Sequence, residues 1–232
     1  MSNKKVWFVT GCSKGMGKAL VEELIAQGYP VAGTGRSKET LEKSIGVESD
    51  IFLPLSMNLK DEMDVKNAIA LATEKFGRID VIVNNAGFTH LATIEEMSDA
   101  DAREEFDINV FGTLNVIRNV LPQMRTQGCG HIFNVSSLGA YNVGPLSGIY
   151  CATKHAVKAI SETLAQEVKA FNIHVTDVKP GFMRTEFFGS SHKTTAPKDS
   201  SYKHLYDKNM EFYMGQERKS GRWSEEGCTA LH

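Results

Sequence analysis

The sequence carries no excess of either charge: 26 lysines and arginines stand against 28 aspartates and glutamates, for a formal net charge of −2 over 232 residues. A chain so balanced lacks the broad positive field that nucleic acid or an anionic membrane surface selects, so small ligands become the expected partners. Cysteine is sparse and scattered. Cys12, Cys129, Cys151 and Cys228 form no C-x-x-C pair and have no histidine at ligand spacing, which argues against a zinc site or a disulfide framework and fits a reducing, cytoplasmic setting. The histidines form no H-E-x-x-H or similar pair, and His155, beside a lysine on an expected helix, reads as packing rather than as a ligand. No apolar stretch approaches the roughly 20 residues that span a bilayer, and no basic-then-apolar leader opens the chain. The sequon at Asn134 lies within the apolar run HIFNVSS and reads as a buried strand, not an exposed glycan acceptor.

What is present is an alternation. The β-rich runs KVWFVT, YPVAGT, DIFLPLS, IDVIVNN, HIFNVSS and IHVTDVK are each separated by a segment long enough for a helix. Val65, Ala68, Ile69, Ala72 and Phe76 recur at steps of three and four, as do Met16, Ala19, Leu20 and Leu24, each set marking one apolar helical face. Strands without polar alternation, joined by helices, predict an α/β fold: a doubly wound, mostly parallel sheet of Rossmann type with helices on both faces, in a single domain over 1–232. Ligands then bind at the carboxyl ends of the strands. From about residue 186 the sequence turns polar and helix-poor, and 186–215 is expected to be a mobile lid over the substrate. The final stretch GQERKSGRWSEEGCTALH offers no apolar run for a seventh strand.

Between the first strand and the first helix lies TGCSKGMG, residues 10–17. A strand that must reverse there needs torsions that glycine adopts cheaply, and positions bare enough for a ligand to approach the backbone. Gly11, Gly15 and Gly17 supply both, with Ser13, Lys14 and Met16 between them. The helix that follows presents unpaired N–H groups and a partial positive charge, which attract phosphate. The spacing is G-x-x-x-G-x-G rather than the commoner G-x-G-x-x-G. The second strand ends at Gly35 and Arg36, with no acid to bind the ribose hydroxyls of NAD. Arg36 and Lys14 could pair instead with a 2′-phosphate, which favours NADP, with NAD as the alternative.

Tyr150 and Lys154 stand at i and i+4, one turn apart on a helical face. A phenol ionises near pH 10, and a neighbouring ammonium in a partly buried site is expected to lower that value. Taken in order, TGCSKGMG, NNAG at 84–87, Asn109 in INVFG, NVSS ending at Ser137, YCATK at 150–154 and PG at 180–181 resemble the short-chain dehydrogenase/reductase family, over about residues 4–188.

That resemblance implies hydride transfer between a nicotinamide and a carbonyl or alcohol carbon, with Tyr150 carrying the proton. It implies Ser137 as the group holding the substrate oxygen, Ser136 being the runner-up. Lys154 would bind the nicotinamide ribose and depress the Tyr150 pKa, and Asn109 would anchor a water that relays protons. Asn84, Asn85, Ala86 and Gly87 would line the adenosine crevice, joined by Asn58 and Leu59; Pro180, Gly181 and Thr185 would hold the carboxamide. Phe182, Met183, Phe187, Phe188, Tyr202, Tyr206, Phe212 and Met214 could wall an apolar pocket or could pack the lid. A homodimer or homotetramer built on the long fifth and sixth helices is also implied. A cofactor-binding regulator without turnover is the alternative, favoured by the atypical C-terminal stretch. An epimerase on the same scaffold is disfavoured by the turn spacing.

Overall fold

The computed structural model describes residues 4–46, 49–181 and 192–219. Each of the six runs expected as strands enters one parallel sheet: β1 (Trp7–Thr10), β2 (Val31–Gly35), β3 (Phe52–Ser56), β4 (Val81–Asn84), β6 (Gly130–Val135) and β7 (Ile173–Val178). Their order across the sheet is β3-β2-β1-β4-β6-β7. The winding therefore reverses between β1 and β4, paired from Trp7 opposite Val81 to Val9 opposite Val83, and a crevice opens beyond their carboxyl ends.

Side chains alternate between the faces along each strand, and both faces are covered. Phe8, Ala32, Ile82 and Ile132 pack against α3 (Glu62–Phe76), α5 (Gly112–Gln127) and α6 (Gly148–Glu167), which contribute Val65, Ala72, Val116, Val120 and Leu164. Trp7, Val9, Val31, Val83 and Phe133 face the other way, onto Leu20, Val21 and Leu24 of α1 (Gly15–Ala26) and onto Leu41 and Ile45 of α2 (Lys38–Ile45). This two-sided burial is why the strands read as near-continuous apolar runs.

Three helix starts follow their capping chemistry. Ser37, Asp61 and Ser98 cap α2, α3 and α4 (Asp99–Phe106) through side-chain oxygens. At α1 the capping position is Lys14, which makes no capping bond, and the first turn holds no acid. Between α4 and α5 the chain widens into a π-helical segment, Asp107–Phe111, which carries Asn109.

Two features depart from expectation. Thr89–Leu91 forms β5, which pairs in parallel with β8 (His192–Thr194) in a separate small sheet. The stretch read as helix-poor contains a 17-residue helix, α7 (Lys203–Lys219). Its anchor is tertiary: Tyr206, Met210 and Tyr213 recur at helical steps and pack on Leu91 and Leu146. Six strands make up the main sheet among the described residues, and β7 lies at its edge. The final stretch expected to lack a strand lies outside the described residues from 220 onward.

Candidate active site

A cavity of about 710 Å³ runs from the carboxyl ends of β1 and β2 across to α6 and α7. Its size is in the range of small-ligand pockets. Gly11, Ser13, Lys14, Gly15, Met16, Gly35 and Arg36 wall one end, Asn58, Leu59, Asn85, Ala86 and Gly87 flank it, and Ser136, Ser137, Tyr150, Lys154, Pro180 and Gly181 form the other end. The structure thus gathers into one cleft residues that the sequence spreads over 170 positions, from Gly11 to Gly181.

The glycine-rich turn is a fitted part. Gly11 has φ +72° and Gly15 φ +59°, a backbone region that side chains disfavour. A Cβ on Gly11 would stand 2.8 Å from Ala86 Cα, and one on Gly17 would strike the Asn85 amide and the Gly11 carbonyl. Gly17 is therefore absent from the cavity wall: it is bare so that β4's exit loop can pass beneath the turn. Asn85 holds that crossing, since its Nδ2 donates to Thr10 O at 2.9 Å and Gly11 O at 3.0 Å. Thr10 completes it, its Oγ1 accepting from Asn85 N at 3.1 Å and Ala86 N at 3.0 Å. With the α1 N-terminus uncapped and glycine at the approach, the residues present fit a pyrophosphate.

Other expected contacts land elsewhere. Asn84 is buried away from the cleft, where its Nδ2 donates to Asn134 Oδ1 at 2.8 Å and Asn134 Nδ2 donates in turn to Ser161 Oγ at 2.9 Å. It ties β4 to β6 and α6; the crevice is lined by its neighbour. Asn58 reaches the cleft, but its Oδ1 accepts Lys60 N at 3.2 Å. Leu59 is held from behind by Asn115, whose Nδ2 donates to Leu59 O at 2.8 Å. Asn109 does not reach the cavity: its Oδ1 accepts Phe88 N at 3.1 Å, and its Nδ2 donates to Phe88 O at 2.9 Å and Thr153 Oγ1 at 3.1 Å. It braces β4's exit loop against α6, so an amide free to hold a water is not what the structure shows. Thr185, Phe182, Met183, Phe187 and Phe188 lie outside the described residues.

At the far end, Ser137 starts a single 3₁₀ turn and hydrogen-bonds the Tyr150 phenol through its side chain. Ser136 is turned to the backbone, donating to Val178 O at 3.3 Å. Lys154 is buried, its Nζ donating to Val135 O at 2.9 Å and lying 5.6 Å from the Tyr150 ring centre. The expected acidification of the phenol is reversed. Burial raises the Tyr150 pKa to about 12, the Ser137 bond opposing only in part. Burial likewise lowers Lys154 to about 8, against the pull of Glu105 and Asp177. The helical spacing was right, but removal from water dominates the phenol's ionisation, with the Ser137 bond opposing it. Cys12, inside the turn, is pushed up to about 12 by burial and is no nucleophile.

Sequence reasoning missed several contributors. Glu105, Thr153 and Asn115 carry no motif signal, because each acts through a partner distant in sequence. Phe88, Leu91, Ile108, Val143 and Tyr213 join Phe212, which the sequence did mark, in giving that end of the cavity an apolar lining, and Glu104, His192 and Lys193 stand among them. Tyr213 Oη donates to Pro145 O at 3.0 Å and reaches Ser147 Oγ at 3.2 Å, fastening α7 over the loop before α6. Among the described residues no group of acidic, histidine or cysteine side chains could hold a metal ion, and no helix is long and apolar enough to cross a membrane.

Comparison with known proteins agrees with this geometry. The sequence model of the family described as short chain dehydrogenase matches residues 5–196. An oxidoreductase of Botryotinia fuckeliana, BOA17, is 39% identical over 188 residues, covering 81% of this chain and 69% of the relative. The crystal structure of a short-chain dehydrogenase from Streptomyces avermitilis superposes with a TM-score of 0.87 at 35% identity, over 96% of this chain and 81% of the other. The structure of ElxO with NADP bound superposes with a TM-score of 0.75 at 31% identity, over 79% of this chain and 75% of the other.

Proposed function

This chain belongs to the short-chain dehydrogenase family, and on that premise we propose that it is an NADP-dependent oxidoreductase acting on the carbonyl or alcohol carbon of a small substrate with an apolar body. The observation that carries the reading is the convergence of Ser137, Tyr150 and Lys154 at one end of a cleft whose other end is a glycine-rich turn on an uncapped helix.

A nicotinamide held between the glycine-rich turn and Tyr150 would supply or accept the hydride, and its oxidised form would bring a positive charge to the cleft. The chain's own groups handle the oxygen and the proton. Ser137 holds the substrate oxygen within reach of Tyr150, and Tyr150 gives its proton to that oxygen as the carbonyl is reduced. A phenol with a pKa near 12 keeps its proton at neutrality and so has one to give in the reducing direction. Oxidation requires added positive charge to release the proton. Lys154, near 8, exchanges protons in the physiological range, and its Nζ lies 5.6 Å from the Tyr150 ring centre. Asn109 fixes the backbone at Phe88, and the adjacent Gly87 lies between it and Lys154, where a Cβ would stand 3.0 Å from Asn109 Oδ1 and 3.5 Å from Lys154 Nζ. Pro180 and Gly181 line the end of the cleft that would take the carboxamide.

NADP rather than NAD is supported by Arg36 and Lys14 at the adenosine end, where a 2′-phosphate would meet two cations. The NADP held by ElxO is consistent with it. We read the chain as one cytoplasmic domain with a lid over 186–215, associating as a homodimer or homotetramer through α5 and α6, which light scattering on a sizing column would check. Phe212 and Tyr213 of the lid helix supply part of the apolar wall.

The test is the absorbance of NADPH, and then NADH, against a panel of ketones, aldehydes and quinones. Turnover is expected with NADPH, and Tyr150→Phe should reduce it by about 10²–10⁴-fold. Tight cofactor binding with no turnover on any carbonyl would instead support a regulator. Arg36→Asp should weaken NADPH more than NADH, and equal loss of both would remove the case for the 2′-phosphate.

A further inference from the structure

A carboxyl group lies buried on α4, one helical turn before the Asn109 amide that donates to Thr153, the neighbour of Lys154, and the chemistry above makes no use of it. Glu105 is in the last turn of α4, four residues before Asn109, and is fully buried. Its Oε1 accepts the backbone N–H of His90 at 3.3 Å, while its Oε2 is buried with no hydrogen-bond partner. An interior carboxylate so placed is costly unless a cation faces it or it takes up a proton.

The charged groups around it identify that cation. From α6, Lys154 attracts Glu105, and Glu105 in turn disfavours ionisation of Tyr150. From β5 comes His90, whose ring lies 3.5 Å from Asp101 and 2.8 Å from Thr195 Oγ1. Asp101 and Glu104, on Glu105's own helix, face Lys193 of β8 at 3.9 Å and 2.6 Å. On the other side of Lys154, Asp177 of β7 is paired with Lys179 at 2.9 Å. Asp101, Glu104 and Asp177 therefore each have a cation nearer the surface, whereas Lys154 is the cation that acts on Glu105, even though Asp177 shares in the pull on Lys154.

We propose that Glu105 is a positioning residue for the hydride-transfer site: it holds Lys154 in its charged form through the protein interior and so sets the pH range over which Lys154 can resupply the Tyr150 proton. The inference rests on the roles given to Tyr150 and Lys154 above. Its sign follows from burial. Removal from water lowers Lys154 to about 8 and raises Glu105 to about 7, and in each case the other group opposes the shift. Removing one charge leaves desolvation of the other less opposed. Because the coupling is reciprocal, each group must move by the same amount when the other is neutralised.

The coupling can be read without cofactor, substrate or turnover. Protein labelled with ¹³C at lysine Cε is titrated by NMR, with the Lys154 signal assigned by its loss in Lys154→Met. In Glu105→Gln, which keeps an oxygen for the His90 N–H, the Lys154 titration should move down by about one pH unit while the remaining lysines stay in place. A folded Glu105→Gln protein with an unmoved Lys154 overturns the proposal. If that variant does not fold, glutamate labelled at Cδ gives the reciprocal reading: Glu105 should titrate about one unit higher in Lys154→Met than in the wild type. An unmoved Glu105 overturns the proposal equally. Absence of turnover on the carbonyl panel would sink the catalytic reading and leave this coupling measurable, so the two failures are distinguishable.

Discussion

Replacing His131 by phenylalanine should change how the protein responds to acid. His131 opens the interior of β6, with Nε2 2.8 Å from Thr176 Oγ1 and its ring stacked on Phe133 at 4.0 Å between centres. Burial lowers its pKa from 6.5 to about 4, helped by His174 and Lys5. A folded-state value below the unfolded one means that the unfolded chain takes up a proton which the native state refuses. Stability from this group is thus fully present above pH 6.5 and is lost as pH falls through 4. At about 1.4 kcal/mol per pH unit, the loss reaches at most about 2 kcal/mol at pH 5 and about 3 kcal/mol at pH 4. The ring is only partly buried, so about half of that is the expectation. Glu105 acts in the opposite direction. Its pKa is raised from 4.5 to about 7, so as pH falls through 7 the native state protonates first and gains stability. The wild-type acid profile therefore mixes two opposed contributions, and the difference between two proteins separates them. Urea unfolding of wild type and His131→Phe at pH 7, 6 and 5 is the assay. The variant should lose about 1 kcal/mol at pH 7 with the Thr176 bond, and recover about 1 kcal/mol relative to wild type by pH 5. Parallel stability curves across that range would refute the reasoning.

The remaining predictions concern the cleft. Gly17→Ala should weaken NADPH binding at least about tenfold, because the new methyl displaces the Asn85 amide from the turn; Gly215→Ala on α7, outside the cavity wall and with nothing within 4 Å of the new Cβ, is the control and should bind within about twofold. Fluorescence titration with NADPH measures both. Leu146 is a buried non-glycine residue at φ +68°, so Leu146→Gly should be more stable than Leu146→Ala by about 1 kcal/mol, the reverse of the usual order, as chemical denaturation would reveal. Tyr213→Phe removes the bonds to Pro145 and Ser147. It should raise the rate of limited proteolysis within 203–219 severalfold, and an unchanged cleavage rate would mean that α7 is held by packing alone.

The parallel sheet was legible because burial on both faces leaves uninterrupted apolar runs, and the runs ending at Thr10, Asn84 and Val178 could be recognised one at a time. The glycine-rich turn was legible because torsion and close approach restrict Gly11 and Gly15 to a single residue type. The small β5–β8 sheet and α7 were not, since their apolar residues Leu91, Tyr206 and Tyr213 are few and meet partners about a hundred positions away. Nor was the division of labour among the amides of Asn84, Asn85 and Asn109, which look equivalent in the chain and become a sheet tie, a turn brace and a helix brace in space.

By itself the sequence determined which residue types could do chemistry here and in what order they come. A phenol four positions before an ammonium, after a glycine turn and a serine, holds that information in its local spacing. Only the tertiary structure decided their charge. Lys154 and Glu105 are withdrawn from water and Tyr150 is half-buried at the cavity wall, and the ionisation of a group depends on everything packed around it in three dimensions, which spacing along the chain does not encode.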